Sequence, residues 1–317
     1  KEIQKNSKNI EKILKKFLKN NNKKTKPIFV DNNKWLKGLN YISFLRNIGK
    51  HFTINKMLTF DSVKTRLDRE QSLSYMEFNY MILQAYDFLE LNKKNNCVLQ
   101  IGGSDQWGNI VNGVDLIKRY SNNQVYGLTT NLITLASGAK MGKTESGAIW
   151  LDEKLLSPYD YWQFWRNVDD RDVLRFLKIF TDLGNDEIEK IKKDGINQQK
   201  IVLANKTTSM LHGDKEAKKS EDTAKKTFSE NSLGSALPSI TVNRGQINDK
   251  LSIIDLIILS NLESSKSEIR RLIKGKGVKL NNQIIVDEKF IINEKLFKEN
   301  FIKLSLGKKR HIKVEII

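Results

Sequence analysis

The sequence predicts an α/β fold with a parallel sheet, followed by an α-helical domain and a small α+β domain. Three observations support this prediction. Apolar strands, a turn and a helix alternate over residues 97–135, which is typical of parallel sheets. Residues 157–228 show helical periodicity throughout. The last 67 or so residues combine a basic helix with a hairpin pattern.

Composition narrows the class of protein. With 317 residues the chain is long enough for two or three cores, and it has no run of about 18 apolar residues, so we predict no membrane span. The single cysteine, Cys97, lies in the apolar stretch "CVLQI". It excludes a disulfide scaffold and, with no signal peptide visible, indicates a cytoplasmic location. The net charge of +18 favours a polyanionic partner, although an AT-rich genome would also enrich lysine and asparagine.

The first half contains most of the predicted α/β elements. An amphipathic surface helix covers residues 3–18, "KPIFV" reads as a short buried strand, and residues 41–90 are mostly helical. "CVLQI" is a strand, "GGS" is a tight turn, and Ser104 caps a helix from Asp105 to about Tyr120. "VYGLTTNLITL" is extended again. The inward side of the helix after Ser104 is predicted to comprise Trp107, Ile110, Val111, Val114 and Ile117.

The second half divides into three parts. We predict domains at residues 1–153, 154–230 and 250–317, with the Ser, Gly and Pro-containing stretch 231–249 as a linker. In the last domain "SSKSEIRRLIKGKG" is a helix with a possible capping box from Ser265 to Glu268. "VKLNNQIIV" is a hairpin turning at Asn281 and Asn282.

A polar row interrupts the apolar helix "FNYMILQAYDF". Tyr80, Gln84 and Asp87 fall at i, i+4 and i+7, which places them on one face. A phenol, an amide and a carboxylate on that face could hold a small zwitterion with a hydroxyl at its far end. Read alone, the row fits scattered surface residues equally well.

The stretch "QIGGSDQWGN" adds a second candidate. It follows a predicted parallel strand, and open α/β sheets bind ligands at the carboxyl ends of their strands. Gly102 and Gly103 allow close approach of the backbone to a ligand. Asp105 and Gln106 suit a sugar hydroxyl and a polar substrate group.

A third candidate, "SGAKMGKT", looks at first like a phosphate-binding P-loop, but its spacing is wrong. Gly138 lies too close to Gly142, and Ser137 stands where the first glycine belongs. The residues that follow, "GAIWLD", do not read as a helix.

Together, "YMILQAYDF", "LQIGGSDQWGN" and "AKMGKTESGAIWLD" resemble the bacterial tyrosyl-tRNA synthetases, which are class I enzymes. "KMGKT" is similar to the class I signature loop Lys-Met-Ser-Lys-Ser. The resemblance implies a Rossmann-like, doubly wound parallel sheet. It also implies an ATP-dependent ligase that activates L-tyrosine as tyrosyl-AMP and transfers it to tRNA(Tyr). ATP is then a substrate, Mg²⁺ accompanies it, and neither a tightly bound cofactor nor a protein metal site is expected.

The resemblance also assigns roles to individual residues. Lys140, Lys143 and Thr144 serve the pyrophosphate end of ATP as catalytic residues, while Gly103 and Asp105 bind the ribose. For tyrosine, the resemblance assigns the ammonium group to Tyr80 and Gln84, the phenol hydroxyl to Asp87, the carboxylate to Gln106, and support of the pocket to Asn32. The family dimerises through the segment corresponding to residues 41–80. Here that segment carries Phe44, Phe52, Ile54, Met57, Leu58, Phe60 and Tyr75.

One departure concerns the first class I signature, His-Ile-Gly-His or similar, which is absent. The three histidines, His51, His212 and His311, are isolated. The sequence therefore predicts an N-terminally truncated chain whose catalytic domain lacks its first half and whose activity alone is in doubt. The alternatives are a tryptophanyl-tRNA synthetase and a non-catalytic RNA-binding fragment. Asp87 and the last domain argue against the tryptophanyl alternative.

The last domain resembles a small RNA-binding domain shared by a ribosomal protein, some pseudouridine synthases and bacterial tyrosyl synthetases. Arg270, Arg271, Lys274 and Lys276 fall on or just after one helix. This basic stripe is the candidate contact to tRNA phosphates. A solvated helix face would look the same in isolation.

Overall fold

The structure, a computed structural model, describes residues 2–18, 22–144, 147–229, 237–297, 300–307 and 310–317. It divides into two compact units, Thr25–Met141 and a second that joins Lys1–Lys24 to Gly142–Ile317. Within the described residues, no helix has both the length and the apolar character needed to cross a bilayer.

The described residues form helices and strands that follow one another along the chain. They are α1 (Glu2–Phe17), α2 (Asn33–Leu36), α3 (Tyr41–Asn47), α4 (Ile54–Leu58), α5 (Asp61–Asp68), α6 (Tyr75–Asn95), β1 (Leu99–Gly103), α7 (Trp107–Ser121), β2 (Tyr126–Thr130), β3 (Lys143–Thr144), β4 (Gly147–Ala148), α8 (Pro158–Arg166), α9 (Val173–Phe180), α10 (Asn185–Ile191), α11 (Ile196–His212), α12 (Asp214–Ser229), β5 (Ser239–Val242), α13 (Arg244–Asn248), α14 (Ile253–Leu259), α15 (Lys266–Lys274), β6 (Val278–Leu280), β7 (Gln283–Ile284), β8 (Phe301–Leu306) and β9 (Arg310–Ile316).

The unit Thr25–Met141 is built on a strand–helix–strand motif. β1 and β2 pair in parallel from Leu99 opposite Tyr126 to Gly103 opposite Thr130, which confirms the predicted parallel sheet. Helix α7 connects the two strands and packs on both of them and on α6. The packing is close at Gly127, because a Cβ there would lie 2.5 Å from Cγ2 of Ile110.

The core of this unit lies between α6 and α7. Its buried centre includes Ala85, Phe88 and Leu89 of α6 and Leu116 and Ile117 of α7. Helix α6 begins with a capping box, in which Ser74 and Glu77 bond each other's backbone amides. The Ser74 amide and the Arg66 guanidinium lower the pKa of Glu77 to about 2. A well-capped helix with a buried apolar face is a rigid support for side chains on its other faces.

Several local predictions in this unit were wrong. "KPIFV" is not a strand, and Ile28 is 72% exposed. An extended segment needs a hydrogen-bonding neighbour, and among the described strands of this unit none pairs with residues 26–30. Ser104 is not an N-cap: Gly102 and Gly103 end β1, and Ser104–Gln106 form a 3-10 turn before α7.

The inward side of α7 is also shifted from the prediction. Trp107 is 51% exposed, whereas Ile110 and Ile117 are buried as predicted. Asn112 and Gly113, which were not expected inside, are buried as well. The 3-10 turn rotates the start of the helix, so the first apolar residue does not continue the inward stripe.

Residues 158–229 form the predicted helical region. Helices α8, α11 and α12 pack together, and α9 packs on α11. Trp162 of α8, Phe176 of α9 and Leu203 of α11 are buried. The indole Nε1 of Trp162 donates to Oδ1 of Asn205 at 2.7 Å. Helix α1 packs on α11, where Lys16 Nζ donates to the Leu211 carbonyl at 3.2 Å.

The C-terminal module, residues 237–317, is a five-stranded sheet with helices on one face. The strand order is β5-β9-β8-β6-β7, and β5 is parallel to β9 while the other pairs are antiparallel. The predicted turn at Asn281 and Asn282 is confirmed, and both have positive φ. The predicted helix α15 is confirmed too, with Ser265 as its N-cap and Gly275 at its end.

The predicted linker, 231–249, is partly structured. Residues 230–236 lie outside the described residues, but Ser239–Val242 is strand β5 and Arg244–Asn248 is helix α13. Each β5 residue pairs with a residue of β9 from Lys313 to Ile316. The serine, glycine and proline content of this segment is typical of a linker. Its few apolar residues become buried only when β5 pairs with β9, which lies far along the chain.

Candidate active site

Helix α6 presents the predicted polar row on one face. Tyr80 is exposed, while Gln84 and Asp87 are half-buried. The opposite face, with Met81, Ala85 and Phe88, is buried in the core. The three polar groups therefore face away from the core along one side of a rigid helix, as the sequence predicted.

The carboxylate of Asp87 is held by two donors from the region of α2. Asn32 Nδ2 donates to Oδ2 at 3.1 Å, and Trp35 Nε1 donates to Oδ1 at 2.7 Å. Each oxygen thus has one fixed partner, and a carboxylate can accept about four hydrogen bonds. Asp87 therefore keeps capacity to accept from a ligand hydroxyl.

Trp35 was not among the predicted site residues, whereas Asn32 was. The Trp35 ring is half-buried, and Lys94 Nζ lies 5.3 Å from the ring centroid. The sequence feature that could have identified Trp35 is its position three residues after Asn32, which stands at the start of a short helix. That spacing puts both donors on one side of a helical turn.

A second polar cluster lies at the carboxyl end of β1. Gln106 Nε2 donates to Asp105 Oδ2 at 3.3 Å, and Asn109 Nδ2 donates to Gln106 Oε1 at 3.1 Å. A Cβ at Gly103 would lie 2.6 Å from Oδ1 of Asp105, so a larger residue at this position would displace the carboxylate. The structure therefore brings Gly103, Asp105 and Gln106 together.

Asn109 was also missed by the sequence analysis. It binds the Gln106 side-chain oxygen, which leaves the Gln106 amide NH₂ to face Asp105. One cavity has a lining that includes Tyr80 and Met81 of α6, Asn109 of α7, and the ion-paired Arg66 and Glu77. It therefore contacts Tyr80 of the first cluster and Asn109 of the second. The sequence feature that could have identified Asn109 is its position one helical turn after Gln106.

The signature-like loop forms two short hairpins. In the first, Thr134 bridges Lys140, and the Leu135 amide donates to the Ala139 carbonyl at 2.7 Å. Lys140 is exposed, and Gly138 adopts a positive φ of 85°. In the second hairpin β3, formed by Lys143 and Thr144, pairs with β4. The side chains of Lys143 and Thr144 lie outside the described residues.

The basic stripe of α15 is on the surface of the C-terminal module. Arg270 pairs with Glu288 at 3.5 Å and Arg271 with Glu268 at 2.9 Å. Lys274 and Lys276 are exposed as well. Exposed pairs of this kind contribute little energy, about 0–1 kcal/mol, so a phosphate could replace the carboxylates.

These features define a class of protein. Residues 1–229 match the family model of the class I tRNA synthetases (W and Y), and residues 254–296 match that of the S4 domain. The first match includes both polar clusters and the signature-like loop. The second falls within the C-terminal module and includes α15.

Individual relatives narrow the class. The chain is 76% identical over 316 residues to a tyrosine–tRNA ligase of Pelagibacter ubique, covering 100% of this chain and 77% of the relative. It is 54% identical to a tyrosine–tRNA ligase of the Wolbachia of Brugia malayi, covering 99% of this chain and 76% of the relative. The chain therefore belongs to the class I tRNA synthetases and, within them, to the bacterial-type tyrosyl-tRNA synthetases.

A solved structure agrees with this assignment. A C-terminally truncated mitochondrial tyrosyl-tRNA synthetase of Aspergillus nidulans superposes with a TM-score of 0.58 at 30% sequence identity. The superposition covers 70% of this chain and 66% of that chain. The alternative of a tryptophanyl-tRNA synthetase is not favoured, and neither is a non-catalytic fragment.

Proposed function

We propose that this chain carries out tyrosine charging with the residues described above, in two steps. Tyrosine is first activated by ATP to tyrosyl-AMP, and the tyrosyl group is then transferred to the 3′ end of tRNA(Tyr). The observation that supports this assignment is the Asp87 carboxylate, fixed by Asn32 and Trp35 at one end of the polar row on α6.

Tyrosine fits the polar row by length and chemistry. Seven residues separate Tyr80 from Asp87, which is about 10 Å along a helix. The ammonium group binds near Tyr80 and Gln84, and the phenol hydroxyl donates to Asp87. Phenylalanine would leave the half-buried Asp87 carboxylate without its ligand, which costs free energy. Tyrosyl-tRNA synthetases are a known example of rejecting phenylalanine in this way.

The cluster after β1 receives the reacting groups. Asn109 holds the Gln106 side-chain oxygen, and the Gln106 NH₂ lies beside Asp105. We assign the tyrosine carboxylate to this NH₂, and the ribose of ATP to Asp105 and the Gly103 backbone. A tyrosine carboxylate oxygen attacks the α-phosphorus, and the bond to pyrophosphate breaks. Preorganised cations stabilise the charge that develops. We assign this role to Lys140 and Lys143, with Thr144 beside them.

The second step transfers the tyrosyl group. A terminal ribose hydroxyl of the tRNA attacks the carbonyl carbon of tyrosyl-AMP, and AMP leaves. Arg270, Arg271, Lys274 and Lys276 contact tRNA phosphates in this complex. Mg²⁺ enters with the ATP triphosphate as part of the substrate. We further propose a Rossmann-like, doubly wound sheet in the catalytic domain, a homodimer and a cytoplasmic location.

The experiment that tests the proposal is ATP–pyrophosphate exchange with tyrosine, phenylalanine or tryptophan, followed by tRNA charging. We expect exchange with tyrosine alone, and loss of tyrosine binding in Asp87→Ala with little change in ATP binding. Asp287→Ala is the control, because its carboxylate likewise accepts from a backbone amide, that of Lys289, but it lies in the C-terminal module. Exchange with tryptophan, or equal loss of tyrosine and ATP binding in Asp87→Ala, would contradict the proposal.

A further inference from the structure

Helix α6 carries a second, more deeply buried carboxylate just beyond the polar row. Glu90 lies three residues after Asp87 and is only 8% exposed. Its carboxylate lies 2.7 Å from Lys94 Nζ. Burial alone would raise the pKa of Glu90, but hydrogen bonds from Lys94 and from the Tyr86 hydroxyl outweigh it, so the pKa lies below its ordinary value. Glu90 is therefore a charged group held by two donors.

Tyr86 fixes this carboxylate against the core. Residues four apart on a helix are neighbours, so Tyr86 and Lys94 reach Glu90 from its two sides. Burial and the bond to Glu90 raise the pKa of Tyr86 to about 12, so its hydroxyl remains a donor at neutral pH. The Tyr86 ring packs edge-on against Phe44 of α3, with the ring centres 5.3 Å apart. The packing of α3 on α6 thus sets the position of Glu90.

Lys94 connects Glu90 to the indole that holds Asp87. Its Nζ lies 5.3 Å from the centre of the Trp35 ring, within the range of a cation–π interaction. The same ring donates through Nε1 to Asp87 Oδ1 at 2.7 Å. Side chains on a helix lean toward its N-terminus, so Lys94, seven residues after Asp87, extends back toward Trp35. The ion pair with Glu90 restrains a long side chain that would otherwise sample many rotamers.

We propose that Lys94, anchored by Glu90, is a positioning residue for tyrosine recognition, because it holds the Trp35 indole with Nε1 aimed at Asp87. The inference rests on the proposed function, in which Asp87 accepts from the phenol hydroxyl of tyrosine. Without the cation, the half-buried indole gains freedom to turn, and the Asp87 carboxylate loses a fixed donor for part of the time. Lys94 contacts neither tyrosine nor ATP in this role.

The test measures the KM values for tyrosine and ATP in pyrophosphate exchange. Lys94→Gln should raise the KM for tyrosine about 2- to 5-fold, the size expected for one exposed cation–π contact, and leave the KM for ATP unchanged. Lys94→Arg keeps a cation over the ring and should match the unchanged protein. Lys93→Gln is the matched control, because Lys93 lies in the same turn of α6 but its Nζ is 3.9 Å from the centre of the Tyr120 ring.

A double-mutant cycle tests whether Lys94 acts through Trp35. In Trp35→Phe the donor to Asp87 is already lost, so Lys94→Gln should add no further rise in the KM for tyrosine. An equal rise in both backgrounds would show that the lysine charge acts without the indole, which would overturn the inference. Glu90→Gln weakens the anchor and should raise the KM for tyrosine as Lys94→Gln does. A loss of stability alone would not change one KM and spare the other.

The outcomes separate this inference from the function on which it rests. Absence of exchange with tyrosine in the unchanged protein would remove both. If tyrosine supports exchange and Trp35→Phe raises its KM, while Lys94→Gln matches Lys93→Gln, the inference is overturned and the proposed function stands. An equal rise in the KM for ATP, or a Lys94→Arg variant that behaves like Lys94→Gln, would also overturn the inference.

Discussion

The indole nitrogen of Trp35 donates a 2.7 Å hydrogen bond to the carboxylate of Asp87, which lies 52 residues later in the chain. This bond, with that from Asn32, ties the short helix α2 to the polar side of α6. The two bonds fix the orientation of the Asp87 carboxylate, which is the single carboxylate in the row of Tyr80, Gln84 and Asp87.

Trp35→Phe and Asn32→Ala should each weaken tyrosine binding and leave ATP binding unchanged. A hydrogen bond to a charged group is worth about 1.5–3 kcal/mol when buried, and this one is partly exposed. We expect about 1–2 kcal/mol, which is about a 5- to 30-fold rise in the KM for tyrosine. Asn33→Ala is the matched control, because it removes an exposed amide from the same helix. An equal rise in the KM for ATP would show that the two donors do not act through Asp87.

Lys143→Ala should lower the rate of tyrosine activation and leave the tyrosine dissociation constant nearly unchanged. The charge that Lys143 meets develops only in the transition state, so the loss appears in the rate. One well-placed donor contributes about 2.7–4 kcal/mol, or about 100- to 1,000-fold. Pre-steady-state kinetics would measure it, with the exposed Lys154→Ala as control. A comparable rise in the tyrosine dissociation constant would refute the assigned role.

Removal of residues 230–317 should spare tyrosyl-AMP formation and abolish efficient charging of tRNA. The predicted site residues for tyrosine and ATP all precede residue 145, whereas the basic stripe lies on α15. Removal of residues 250–317 should instead give a less stable protein. It leaves β5 and α13 without β9, so that Ile240, Val242 and Ile247 lose their core. Pyrophosphate exchange, tRNA binding and thermal unfolding would distinguish the two truncations. Normal charging of tRNA by the protein without residues 230–317 would contradict the tRNA-binding role of the C-terminal module.

The predicted homodimer has a structural candidate in an exposed apolar patch on α3 and α6. Tyr41 and Tyr75 join their hydroxyl groups at 2.8 Å, and Ile42, Tyr75 and Met76 are 62%, 64% and 75% exposed. Several residues that the sequence suggested for the interface, Phe44, Phe52, Met57 and Phe60, pack in the core instead. The interface prediction therefore moves to the exposed residues.

Ile42→Glu with Met76→Glu should convert a dimer to a monomer at micromolar concentration, because a symmetric interface places each charge twice in an apolar contact. Ile28→Glu is the control, since Ile28 is exposed elsewhere in the same unit. Sedimentation velocity would report the change. A monomeric unchanged protein would refute the predicted homodimer.

His212 should make stability depend on pH. Both ring nitrogens are buried without a hydrogen-bond partner in the described structure, and Tyr161 packs edge-on at 5.5 Å. Burial lowers the pKa of His212 from 6.5, and Lys16 lowers it further, while Glu153 and Glu216 act in the opposite direction. The unfolded chain therefore binds more protons below pH 6.5, so stability should fall as pH decreases through that value.

His212→Phe should remove this part of the pH dependence and keep the ring contact with Tyr161. Denaturant unfolding at about pH 7.5 and 5.5 would measure it, since the window brackets the ordinary histidine pKa. His51 also has a lowered pKa, chiefly through burial, so part of the slope should remain. An unchanged slope in His212→Phe would show that the buried imidazole does not titrate on unfolding.

Local pattern was sufficient for much of the fold. The helix and hairpin of the C-terminal module, the helices of residues 158–229 and the parallel pairing of β1 and β2 all follow from periodicity and turn residues. The family membership and its tyrosine branch were also predictable, because Tyr80, Gln84 and Asp87 occur with "GGSDQWGN" and "KMGKT" in one order. The roles of the individual site residues remain predictions.

What the sequence by itself determined is the set of residue types and their positions along each element, because a helix or strand imposes its own short period on the side chains. Only the tertiary structure decided which elements meet. Trp35 reaches Asp87, and β5 joins the sheet beside β9. None of these contacts has a local signal, because each joins segments far apart in the chain whose approach depends on burial of the cores between them.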